Sequence, residues 1–335
     1  MARPASSCTQ KPTLQFSWPG SGKQTCHVFI TQVGPQLIDL ITALWFGFVG
    51  ACVGSFLNVV AYRMPLGLSV VWQPSRCPNC KRPIRPYDNV PILGWLWLRG
   101  RCRDCQAPIS PRYAVVETVV GAVFFLLAYG EVFSGGLNLH RGPLTDLTGA
   151  WHTVWNPYWP LLVTYAVHVT LMALLTVLVL FSLDEMSAPR RFIGVAVALL
   201  AGAAIAAPGV WRHAVLAPGV DEPQLAGALV VLALGAAPGA SLAWMSRRRA
   251  AKRSALKSPA AAEQFNAAIA VMLLGMVVGL RGLATATLPG LAALALFAAQ
   301  RGRSGARRAA LSAAVWIAAL VQILFWRPLI DWLWS

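Results

Sequence analysis

The chain has 335 residues, of which 57% are hydrophobic and only 12% charged. Soluble domains carry about 25% charged residues, so this composition excludes an ordinary soluble globular protein and points to one threaded through a membrane. The formal net charge of +16 does not indicate a nucleic-acid partner, because the basic residues gather in alternate loops and form no face interleaved with aromatics.

Residues 1–35 are rich in Ser, Thr and Pro and lack an apolar run followed by a cleavage site, so they read as a tail outside the cytoplasm. On that oxidising side Cys8 and Cys26 either pair or remain as two free thiols. Hydrophobic runs predict spans near 36–62, 114–134, 159–182, 191–211, 224–246, 264–280, 283–299 and 309–326. The loop 63–113 carries Arg63, Arg76, Lys81, Arg82, Arg85, Arg99, Arg101, Arg103 and Arg112, which places it in the cytoplasm. Alternation then puts Arg190 and Arg191, Arg247–Arg249, and Arg301, Arg303, Arg307 and Arg308 on the same side, with both termini outside. The expected fold is an all-α polytopic membrane protein of about eight transmembrane helices. A cytoplasmic zinc-binding loop follows the first, and residues 114–335 form the membrane domain.

Within that loop stand Cys77-Pro-Asn-Cys80 and Cys102-Arg-Asp-Cys105, separated by 21 residues. Two such knuckles present four thiolates to one tetrahedral Zn(II), and they face a reducing compartment that favours metal over disulfide. Four thiolates close the coordination shell, so Cys77, Cys80, Cys102 and Cys105 point to a structural ion that folds a loop too poor in apolar surface to build a core.

Around the knuckles the chain reads Gly54-Ser-Phe-Leu-Asn58, then Asn89-Val-Pro91, then Tyr113-Ala-Val-Val-Glu117. In this order, over residues 50–121, the sequence closely resembles the amino-terminal part of the bacterial prepilin peptidases, the type 4 leader peptidase/N-methyltransferase family. The resemblance implies an inner-membrane protein that takes a type IV prepilin or pseudopilin leader as its partner. It also implies leader cleavage by two aspartates, then methylation of the new amino terminus with S-adenosylmethionine.

The carboxylates are where this chain departs from that family. Its first aspartate is separated by six residues from a Pro-Asp, and counting back from Pro189 reaches Ser182; Arg190 replaces the aspartate after the proline. Asp184 is either the catalytic residue of a shortened loop or a helix-end carboxylate pairing with Arg190 or Arg191. The family's second motif, Gly-x-Gly-Asp, is absent, and matching Gly275 and Gly279 places its aspartate at Ala267. Glu263, one turn earlier, is the acid that would form a substitute dyad with Asp184, or else a helix-start acid favoured by the dipole. Three readings follow: an active bifunctional peptidase, a pseudo-peptidase that binds leaders or scaffolds a pilus or type II secretion assembly, and an unrelated transporter with a zinc-ribbon loop. A transporter would carry charge in mid-span, and these spans have almost none. His168 is the notable mid-span polar residue and reads as a packing group. The tryptophans, Trp95 and Trp97 among them, read as interfacial anchors.

Overall fold

The computed structural model describes residues 22–72, 74–139, 144–146, 148–208, 225–252, 258–299 and 309–325. The described elements are helices: α1 (Gly22–Arg63), α2 (Leu93–Trp97), α3 (Arg112–Leu127), α4 (Ala150–Trp155), α5 (Trp159–Leu183), α6 (Arg190–Ala206), α7 (Leu225–Lys252), α8 (Pro259–Ala299) and α9 (Ala310–Leu324). Helix is the form that satisfies every backbone group within one segment, as a spanning chain must. Five stretches are long and apolar enough to cross a membrane: Gly34–Arg63, Arg112–Val132, Trp159–Leu183, Gly227–Ala251 and Pro259–Gly279.

The other three expected spans are shorter. Helix α6 has 17 residues and α9 has 15, or roughly 25 and 22 Å at 1.5 Å per residue, against a hydrocarbon core of about 30 Å. The expected pair 264–280 and 283–299 is one element broken at Gly279, whose φ of 68° and ψ of −174° suit only glycine. At the amino terminus α1 begins at Gly22, inside the stretch expected to be an unstructured tail, and Pro35 is accommodated within the helix. The Cys8–Cys26 pairing falls outside the described residues.

Helix α5 is the centre of the bundle, touching α1, α3, α6, α8 and α9. Because lipid is as apolar as leucine, helices here gain by close approach, and two pairs use glycine for it. A Cβ on Gly54 would lie 2.9 Å from the Glu117 Cα, and one on Gly121 would lie 2.9 Å from the Gly47 carbonyl oxygen, so α1 meets α3 almost backbone to backbone. Helices α7 and α8 are closer still. A Cβ on Gly235 would come within 1.9 Å of the Gly275 carbonyl oxygen, and one on Gly239 within 2.2 Å of the Met272 nitrogen.

The bundle is not free of buried ionisable groups. A π-turn over Ala128–Val132 extends α3 and turns Glu131 inward, where it is fully buried and lies 3.0 Å from His168 Nδ1. His168 is therefore the partner of an acid, not a lone packing group. Glu131 sits at the frayed end of an apolar run, and no spacing rule ties it to a histidine 37 residues away.

Gly235→Ala is expected to destabilise the protein by about 2 kcal/mol in detergent melts, from forced separation of α7 and α8. Gly202→Ala, whose Cβ meets nothing within 4 Å, is expected to be neutral. Glu131→Ala leaves His168 buried without its partner and is expected to cost about 3 kcal/mol, measured the same way.

Candidate functional site

The loop between α1 and α3 is built from two copies of one knuckle. In the first, Cys77 donates to the Arg82 carbonyl, Lys81 donates to Cys77, and Arg76 bridges Pro83. In the second, Cys102 donates to Ala107, Gln106 donates to Cys102, and Arg101 bridges Pro108. Each turn closes on a residue with positive φ just after its second cysteine, Lys81 at 60° and Gln106 at 58°. That turn aims backbone N–H groups at the sulfurs, an arrangement that favours thiolate over thiol.

The four Sγ atoms lie within 4.8 Å of one another, with Cys77 and Cys105 at 3.7 Å. A tetrahedral ion with Zn–S bonds of about 2.3 Å requires sulfurs about 3.8 Å apart, so this compact four-thiol set suits such an ion with small side-chain adjustments. The four thiols sit in unequal surroundings. The Ala107 amide and the Asn79 side chain pull the Cys105 thiol down to about 6. Cys80 is pushed up to about 11 by burial and its sulfur neighbours, although the Arg82 amide opposes this.

The rest of the loop ties the knuckles to the membrane helices. Arg103 grips Asp88 with two hydrogen bonds, of 2.8 and 2.5 Å, which holds the Asp88 carboxyl below its usual range. Trp95 donates to the Ile109 carbonyl, and its ring closes over Gly100. Trp95 is thus part of the loop's own packing, whereas Trp97 stays 81% exposed as an anchor would. Glu117, buried in α3, accepts the Ile92 N–H at 2.7 Å, where Ile92 has a φ of 62°. The Tyr-x-x-x-Glu spacing thus serves to dock the loop on the span beneath it.

At the end of α5 the chain turns sharply. Glu185 donates to Ser182, Met186 donates to Phe181, and Glu185 has a φ of 57°, the signature of a left-handed helix stop. Asp184 does not pair with Arg190 or Arg191: both its oxygens are held by the Arg112 guanidinium at the start of α3, the second bond being 2.8 Å. Arg112 reaches it because α3 begins beside the end of α5, a proximity that local sequence does not encode. Glu263, in the first turns of α8, accepts the Leu311 N–H at 2.9 Å. These two carboxylates therefore serve different partners.

Other residues meet instead. Asn266 is fully buried in α8, and its amide donates to Ser182 Oγ at 3.0 Å and to the Met186 carbonyl at 2.8 Å. Its Oδ1 accepts the Ala188 N–H at 2.7 Å. Ser182 Oγ lies 2.8 Å from Ser312 Oγ of α9. The α8 residue facing Ser182 is thus Asn266; Ala267, one position on, is buried and brings no polar group. Asn266 was missed because helix spacing was anchored on distant glycines. The signal for it was a lone polar residue at the start of an Ala-rich span.

Purified protein is expected to carry about one zinc ion per chain by elemental analysis. Cys77→Ser with Cys102→Ser is expected to abolish binding and expose the loop to protease; unchanged metal content in that variant would refute the site.

Residues 48–130 match the family model for the bacterial peptidase A24 N-terminal domain. Over 91 residues the chain is 52% identical to the prepilin leader peptidase/N-methyltransferase of Myxococcus xanthus, covering 27% of each chain. Over 118 residues it is 44% identical to that of Klebsiella pneumoniae, covering 31% of this chain and 52% of the relative. The protein of the same name from Pectobacterium carotovorum is 37% identical over 128 residues, 31% of this chain and 45% of the relative. The matched part thus spans between about a quarter and half the length of these relatives. No solved structure matches. The matched segment contains both cysteine knuckles and the helices that carry them, so over residues 48–130 the chain is similar to the amino-terminal domain of the prepilin leader peptidase/N-methyltransferases, and no Gly-x-Gly-Asp motif follows it.

Proposed function

We propose that this chain is a bacterial inner-membrane protein that binds the leader of a type IV prepilin or pseudopilin at its zinc-loop end without cleaving it. The zinc loop would lie in the cytoplasm, with the ion in a structural role, and both termini would lie outside. The observation that carries the reading is the Ser182–Asn266–Ser312 network, in which all three side chains are at most 1% exposed.

Aspartic peptide cleavage needs two carboxylates sharing a proton, one to activate water and one to protonate the leaving group. Ser182 and Asn266 supply a hydroxyl and an amide, neither of which exchanges protons near neutral pH. Their hydrogen bonds are directed at each other and at the Met186 and Ala188 backbone, so a nucleophilic water has neither room nor a base. The family resemblance also brings methyl transfer, for which S-adenosylmethionine would supply the methyl group. That step does not chemically require the two aspartates, and here it would act on the new amino terminus of a pilin whose leader a separate peptidase has removed.

The second reading, an Asp184–Glu263 dyad, is favoured by both carboxylates lying at the zinc-loop end. Against it, the Arg112 guanidinium occupies both Asp184 oxygens and would have to leave before that residue took a proton.

Expression with a prepilin substrate in cells lacking their own peptidase separates these readings. The expected result is an unprocessed prepilin that crosslinks to this chain, with crosslinking lost in the Cys77→Ser, Cys102→Ser variant. Leader removal by the native chain would overturn the pseudo-peptidase reading, and its loss on Asp184→Ala would assign the cleavage to that residue.

A further inference from the structure

A cleft of about 310 Å3 opens where α6, α7 and α8 meet, lined by Arg190, Ile193, Ala243, Trp244, Arg247 and Phe265. It lies at the zinc-loop end of the bundle, because Arg190 begins α6 directly after the turn that Asn266 clasps, and Phe265 precedes Asn266 in α8. Its walls are mainly apolar and its charge is of one sign. The Arg247 guanidinium sits 4.2 Å over the Phe265 ring, and the next residue, Arg248, sits 3.7 Å over Trp244. This is a local interleaving of arginine and aromatic side chains that the loop-by-loop charge reading did not find.

A guanidinium lying on an aromatic face is held there by the ring quadrupole, while its in-plane N–H donors remain available to an acceptor. Among the described residues no ion pair is formed by Arg190 or Arg247; Asp184 is engaged by Arg112, and Glu263 accepts the Leu311 N–H. The first turn of α6 contains no acidic residue, so its positive dipole end adds to the same field. Two cations, an apolar wall and a helix amino terminus converge on one opening.

We propose that this cleft binds the phosphate of an anionic phospholipid between Arg190 and Arg247, with an acyl chain along Ile193, Ala243 and Phe265. The apolar wall and the place of the cleft decide for a lipid over a soluble anion. It opens at the ends of two helices that are long and apolar enough to span a bilayer, at the depth where headgroups lie. The site uses none of the residues invoked for leader binding or metal, so it stands or falls independently of the proposed function.

The test uses the full chain in a neutral detergent, with lipid retention followed by native mass spectrometry and affinity by titration of phosphatidylglycerol or phosphatidylcholine. Phosphatidylglycerol is expected to bind saturably and phosphatidylcholine much more weakly. The Arg190→Gln, Arg247→Gln double variant is expected to weaken phosphatidylglycerol about thirtyfold with an unchanged melting temperature, the loss expected for two cations at a membrane surface. Arg101→Gln, which removes an exposed charge from the zinc loop, is expected to leave binding unaltered. Equal retention of the two lipids, full affinity in the double variant, or an equal loss in Arg101→Gln would each overturn the proposal. Saturation of the site by inorganic phosphate at the lipid's own affinity would overturn the assignment to a lipid.

Discussion

The zinc-loop end of this protein depends on one amide. Asn266 donates both its hydrogens and accepts a third bond, and its partners lie on the last turn of α5 and on the connection to α6. In a low-dielectric interior those bonds are strong, and an unpaired amide would be costly, so the three partners are held together or not at all. The clasp fixes where α5 stops, how the chain reverses through Glu185, and where α6 starts. Ser312 extends it to α9 and Arg112 extends it to α3 through Asp184. One network thus positions the ends of five helices, α3, α5, α6, α8 and α9.

The two ends of the membrane domain use opposite means of cohesion. At the zinc-loop end, side-chain hydrogen bonds join α3, α5, α8 and α9. Along the helix bodies cohesion comes from the near absence of side chains, with Gly235 against Gly275 and Gly47 against Gly121. Dispersion between such close backbones replaces the hydrophobic effect, which has no purchase between lipid-facing helices. The Glu131–His168 pair belongs to neither scheme: a buried carboxyl and an imidazole hydrogen-bond to each other in the interior, with the π-turn setting the angle of the acid.

Arg190 joins the Asn266 clasp to the neighbouring cleft. The same turn that brings Ser182 to Asn266 sets Arg190 on the rim of a cleft whose other cation is Arg247. A carboxylate at position 190 would neutralise that rim. The cleft proposed to hold a phosphate thus takes one of its two lining cations from the α5–α6 connection.

The sequence by itself determined that this is a helical membrane protein, located five of its spans to within a few residues, and singled out the four cysteines. These properties are local: apolar run length and knuckle spacing act between residues close in the chain. Sequence also showed that the family's second acidic motif is missing. It did not show which α8 residue faces Ser182, since facing residues on α5 and α8 are related by helix rotation and crossing, which no spacing rule carries. Only the tertiary structure decided that Asn266 faces Ser182, that Asp184 answers to Arg112, that His168 has an acid for a partner, and that Arg190 and Arg247 share a cleft. Each of these pairs joins residues far apart in the chain, and the packing of helices, not the order of residues, brings them within reach.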